Sequence, residues 1–86
     1  MSFLASNLRF LRKQKGITQS DLADQLDVQR TMISAYEDGR SEPKLAALQK
    51  ICELLEVGMD ELINHDIEKL GRKAIQKRDL NILTIA

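Results

Sequence analysis

Residues 26 to 37 read LDVQRTMISAYE. Gln29, Arg30, Thr31 and Ser34 stand too close together for a fully buried helix, yet Val28, Met32, Ile33 and Tyr36 are more apolar than a solvated helix requires. Ile33 and Tyr36, three apart, point inward and leave Arg30, Thr31, Ser34 and Ala35 outside. A helix over about 29–38, stopped by Gly39, therefore carries a polar side that neither core nor water alone explains.

Upstream, Leu26, Asp27 and Val28 form a turn so short that the two helices it joins must cross steeply. Asp27 stands where a left-handed backbone is needed, which Asp tolerates better than most residues though less well than Gly. Thr18 precedes Asp21 by three, a variant of the capping box, so a helix starts near Gln19 and runs to about Gln25. Leu22, Ala23 and Leu26 are its inner face, and the small Ala23 admits a close neighbour. From Phe3 to Lys15, Leu4, Leu8 and Leu11 recur at helical spacing with Arg9, Arg12, Lys13 and Lys15 on other faces, and Gly16 ends this first helix.

Downstream of the loop GRSEP, a fourth helix carries Leu45, Leu48, Ile51, Cys52 and Leu55 on one face. A short fifth begins near Met59, with Leu62 and Ile63 apolar. The expectation is an all-α domain of five helices over residues 1–64, followed by a tail over 65–86. In that tail, DIEKLGRKAIQKR shows weak helical periodicity interrupted by Gly71, and DLNILTIA reads as a strand. An exposed apolar strand needs a partner. The tail is therefore expected to be a linker with a dimerisation element, or the start of a further domain.

Composition bounds the function without naming it. The 86 residues suffice for one small core, and with 3% aromatics that core must be aliphatic. Thirteen basic residues balance 13 acidic ones, so no strong net field argues for or against a nucleic-acid partner. One cysteine, Cys52, and one histidine, His65, rule out an internal disulfide and leave too few ligands for a metal cluster, and the cysteine usage fits a reducing cytosol. No apolar run approaches the roughly 20 residues needed to span a bilayer, and MSFLASNLRF lacks the features of a signal peptide. A soluble, cytoplasmic protein is expected, without membrane, cofactor or metal. An enzyme is the least expected class, because the chain offers no paired nucleophile and base and no phosphate-cradling glycine loop.

Two short helices joined by a tight turn, the second with a small polar outer face, are the parts of a DNA-reading unit whose second helix lies in the major groove. Residues 8 to 63 resemble the phage repressor and Cro-like helix-turn-helix family, also called the xenobiotic-response-element family. The likeness rests on LRxLR, G-I-T-Q-x-x-L-A, I-S-x-Y-E-x-G, P-x-L-x-x-L and V-x-x-D-E-L, in that order and spacing. It implies a five-helix, lambda-repressor-like DNA-binding domain.

Carried over residue by residue, the resemblance implies base contacts from Arg30, Thr31, Ser34 and Ala35. Arg30 could bond bidentately to a guanine, worth about 1–3 kcal/mol of discrimination. Phosphate contacts are implied for Gln19 and Gln29 at helix starts, and for Arg40, Ser41 and Lys44, which position without specifying. Arg12 and Glu37 match a structural ion pair between the first helix and the end of the third, and Met59, Leu62 and Ile63 fall in the region of a dimer surface. Where the family often has good caps, Gln29 and Lys44 stand instead, at a cost of about 1 kcal/mol each. Asp27 in place of a common Gly also adds a negative charge near the proposed DNA face.

Plainer roles compete for several residues. Tyr36 reads as core with its hydroxyl at the surface, Cys52 as packing, and His65 as an exposed loop residue. Arg9, Lys13 and Lys15 would by themselves be a solvated helix face, and Phe10 could pack on a flank.

The leading expectation is a sequence-specific DNA-binding transcriptional regulator, a repressor binding a palindromic operator on double-stranded DNA as a homodimer. A protein-interaction module such as a bridging factor, or an antitoxin of a toxin-antitoxin pair, is the alternative. RDLNILTIA also resembles the start of the β-rich C-terminal domain of longer phage-type repressors, in which case catalytic residues would lie past Ala86.

Overall fold

The computed structural model describes residues 2–70. The described residues form helices and turns without a strand: α1 (Leu4–Gln14), α2 (Gln19–Leu26), α3 (Arg30–Glu37), α4 (Leu45–Leu55) and α5 (Met59–Asn64), with helix resuming over 67–70. The expected strand in DLNILTIA lies outside the described residues.

One aliphatic core joins all five helices. Leu4 and Leu8 of α1 meet Leu22, Ala23 and Leu26 of α2, Ile33 and Tyr36 of α3, Ile51 and Leu55 of α4, and Leu62 of α5. The third helix packs on both α2 and α1, while α5 closes the far side against α1 and α4. Ile33 is wholly buried, whereas Arg30 and Thr31 are exposed on the same two turns. The apolar side of LDVQRTMISAYE is thus spent on holding α3, and its polar side is left free. Met32 does not share that burial and is 41% exposed.

The first four helices end in the same way. At Gly16, Asp27, Gly39 and Glu56 the backbone turns left-handed, with φ between 55° and 74°. The amide of the residue after each left-handed one then reaches back into the last turn: Ile17 N–H to Arg12 O at 3.3 Å, Val28 to Ala23 at 3.0 Å, Arg40 to Ala35 at 2.9 Å and Val57 to Cys52 at 3.1 Å. This is a Schellman closure, and it satisfies carbonyls that the helix itself cannot. Between α2 and α3 it confines the turn to Asp27, Val28 and Gln29. At Gln19 the capping box is complete: the Thr18 hydroxyl accepts from Asp21 N–H at 3.0 Å, and Asp21 accepts from Thr18 N–H at 2.9 Å.

Two expectations, at Leu45 and Leu62, are corrected. Leu45 does not share the inner face of α4 with Ile51 and Leu55: as the first residue of that helix it projects past the core edge and is 63% exposed. Arg12, which the resemblance pairs with Glu37, is buried beside it. Leu62, expected at a dimer surface, is fully buried in the domain's own core, because α5 turns that face onto α1 and α4.

A polar group inside α1 had no counterpart in the sequence reading. Asn7 is buried, and its amide nitrogen donates to Leu62 O at 2.7 Å and His65 O at 2.6 Å, while its oxygen accepts from Ile67 N–H at 3.1 Å. One side chain thereby satisfies the carbonyls at the end of α5 and ties residues 65–67 to the first helix. No helix among the described residues is long and apolar enough to cross a membrane.

Candidate nucleic-acid interface

The outer side of α3 gathers the residues singled out in the sequence. Gln29, Arg30 and Thr31 are exposed at its start, and Ser34 and Ala35 are half-buried one turn on. Gln29 makes no side-chain cap, and neither does Lys44 at the start of α4. The first N–H groups of these helices have no intrahelical acceptor, so each start offers donors and the positive end of a helix dipole.

The starts of α2 and α3 meet through side chains. Arg30 Nη1 donates to Gln19 Oε1 at 3.1 Å, and Gln19 Nε2 donates to Glu37 Oε1 at 3.1 Å. Glu37 is in turn fastened by Arg12, with Nε to Oε2 at 2.7 Å and Nη2 to Oε1 at 3.2 Å. Arg12 Nη1 also donates to Ile17 O at 2.8 Å, which fixes the α1–α2 turn beside the start of α2. The Glu37 side chain has no exposed surface, so this fork of two charge-assisted bonds is shielded from water and salt.

The loop after α3 is held from both sides. Arg40 and Ser41 give their N–H groups to Ala35 O, at 2.9 and 3.3 Å, which leaves the Ser41 hydroxyl for any outside contact. Asp38 accepts from Arg9 at 3.2 Å and from Arg40 at 3.1 Å. Lys44 is exposed. Of the residues expected at a dimer surface, Met59 and Ile63 are half-buried.

Sequence reasoning missed several features here. Asp38 was not singled out, although an acid one residue before the closing Gly39 and two before Arg40 signals a competing anion. The exposed Met32 and Leu45 lie on α3 and at the start of α4, next to the polar row and to Lys44.

Titration bears little on this face. The Asp21 carboxyl is held below the usual carboxylate range by the Thr18 N–H and then the Thr18 hydroxyl. Asp60, bonded to Asn64 and His65 on α5, is likewise lowered. Burial pushes the Cys52 thiol up, which suits packing rather than reactivity.

Residues 8–62 match the helix-turn-helix family. The chain is 41% identical over 77 residues to the HTH-type transcriptional regulator YqaE of Bacillus subtilis (strain 168), covering 90% of this chain and 66% of that protein. It is 42% identical over 57 residues to the HTH-type transcriptional activator BcrR of Enterococcus faecalis, covering 66% of this chain and 28% of that one, so it spans only part of each relative. The crystal structure of the P22 c2 repressor in complex with synthetic operator 9T superposes with a TM-score of 0.71 at 26% identity, over 77% of this chain and 100% of that one. With a short closed turn between α2 and α3, a polar outer row on α3 and this match over most of its length, the chain belongs to the helix-turn-helix family.

Proposed function

We infer that the protein is a sequence-specific DNA-binding transcriptional regulator, a repressor that reads a palindromic operator as a homodimer through the major groove. The observation that carries this is the division of α3: Ile33 and Tyr36 are locked into the core while Arg30 and Thr31 face outward beside the start of α2. A helix buried on one side and polar on the other, with two helix starts brought together, suits a duplex whose base edges and phosphates cover the exposed side.

In this reading Arg30, Thr31, Ser34 and Ala35 meet base edges, while Gln19, Gln29, Arg40, Ser41 and Lys44 meet phosphates. One recognition helix touches only a few base pairs, so useful specificity requires two half-sites about 34 Å apart. Met59, Ile63 and the residues after them supply the dimer surface, and residues 65–86 act as a linker and dimerisation tail or as the start of a further domain. The resemblance to phage repressors supports repression over activation.

Selection of bound duplexes from a random pool tests this directly. A two-fold symmetric motif, with affinity that falls steeply as salt rises, is expected from counterion release. A pool from which nothing is enriched, or binding indifferent to salt, would end the proposal.

A further inference from the structure

Glu37 is placed to do more than hold Arg12. Its Oε1 accepts from Gln19 Nε2 at 3.1 Å, and the other end of the same amide, Gln19 Oε1, accepts from Arg30 Nη1 at 3.1 Å. Gln19 therefore lies between a buried anion and an exposed cation. A reversed amide would set its oxygen against the Glu37 carboxylate and its NH₂ group against the Arg30 guanidinium. Both contacts would turn repulsive, and the first would do so where the local dielectric is low. The charges on either side thus dictate which end of Gln19 faces outward.

Arg30 gains a definite position from this. It is the first residue of α3, where the helix dipole disfavours a cation, so an acceptor is needed nearby. Gln19 Oε1 supplies one and uses a single N–H of the five that a guanidinium carries, leaving a fork free for a base edge. A free arginine would lose side-chain rotamers on binding and could swing to a phosphate instead. One already tethered has met part of that ordering cost before DNA arrives.

We propose that Glu37 acts through Gln19 as a positioning residue for Arg30, so that the buried ion pair of the core also sets the base preference of the recognition helix. This rests on the reading of α3 as the DNA-reading helix. It makes Gln19 a determinant of specificity as well as a phosphate contact. It also makes the Arg12–Glu37 pair the anchor of a chain that runs from α1 to the DNA face.

The test compares position-resolved base preferences of the full chain with those of Gln19→Met, Glu37→Gln and Arg30→Ala. Gln19→Met keeps side-chain length and helix propensity and removes both polar ends. It is expected to lower preference at the base pair lost in Arg30→Ala by about three- to tenfold, the ordering cost of one long side chain. Preference at the remaining positions should hold, and the ¹⁵N order parameter of Arg30 Nε in the free protein should fall. Glu37→Gln should lose preference at the same base pair if it folds; if it does not fold, Gln19→Met decides alone. Full preference retained in Gln19→Met overturns the relay, and if affinity then falls alike for every sequence Gln19 is a phosphate contact only; preference lost evenly at all positions overturns it too. If the unaltered chain itself enriches no sequence, the DNA-reading proposal has failed rather than the relay.

Discussion

Arg12 Nε lies 2.7 Å from Glu37 Oε2, and this contact joins the last turn of the domain's first helix to the last turn of its third. Both residues are buried, and Glu37 also accepts from Gln19, with Arg9 Nε 3.6 Å away. Breaking such a pair from one side strands a charge. Arg12→Met should therefore cost about 3–5 kcal/mol. Urea denaturation checks this, and the double variant Arg12→Met, Glu37→Leu should recover much of the loss because no charge is then left buried. A single variant as stable as the parent would show that the pair is not sealed from water.

Arg30 and Lys44 should fail in different ways if they hold the proposed roles. Arg30→Ala should relax preference at one base position per half-site, by about 1–3 kcal/mol. Lys44→Ala should weaken every sequence alike and lower the salt slope by about 1. Titration of an operator and a scrambled duplex at several salt concentrations separates the two. Equal loss on both duplexes for Arg30→Ala would remove it from the base-reading set.

Asp38 holds Arg9 and Arg40 in the free protein, as a phosphate would. Asp38→Asn releases both cations and removes a negative charge from the same loop. Affinity should rise for operator and scrambled duplex together, on the order of 0.5–1 kcal/mol at low salt, the scale of exposed ion pairs. A change confined to the operator would show that Asp38 acts on sequence and not on phosphate.

Two of the left-handed closures are made by residues that strain to adopt them. Glu56 has φ 55° and Asp27 φ 57°. Replacement by Gly should stabilise the fold by about 1 kcal/mol at Glu56 and by less at Asp27, since Asp tolerates this backbone better. Thermal or urea melts of Glu56→Gly and Asp27→Gly give the order directly, and the reverse order would contradict the account of the turn.

The capping box at the start of α2 carries a pH signature. The Asp21 carboxyl is lowered from its ordinary value of 3.8, so the unfolded chain binds this proton more readily than the folded one. Its stabilising contribution is complete above the unfolded value and is lost as pH falls through the lower folded one. Comparison of the parent with Asp21→Asn should show a stability difference at pH 6 that shrinks below about pH 4. A difference that grew in acid would reverse the sign and refute the cap.

Local rules made much of this protein legible before any fold was known. The Thr18–Asp21 box, the stops at Gly16 and Gly39, the left-handed turn at Asp27 and the inward pair Ile33 and Tyr36 all follow from backbone chemistry or helical period within a few residues. The sequence by itself therefore determined five helices, their order and the polar row on α3.

What it could not determine is what each inner face would meet. Leu45 and Leu62 both continue apolar stripes, yet one ends 63% exposed and the other wholly buried, because burial depends on where a second helix lies. Asn7 interrupts the Leu4–Leu8 stripe, and only the return of α5 onto α1, 55 residues along the chain, supplies the carbonyl that a buried amide needs. The chain from Arg12 through Glu37 and Gln19 to Arg30 likewise joins three helices, and hydrogen bonds across such separations exist only once packing has brought their ends together. Tertiary structure decided these contacts because a side chain's partner is fixed by proximity in space, which no local period encodes.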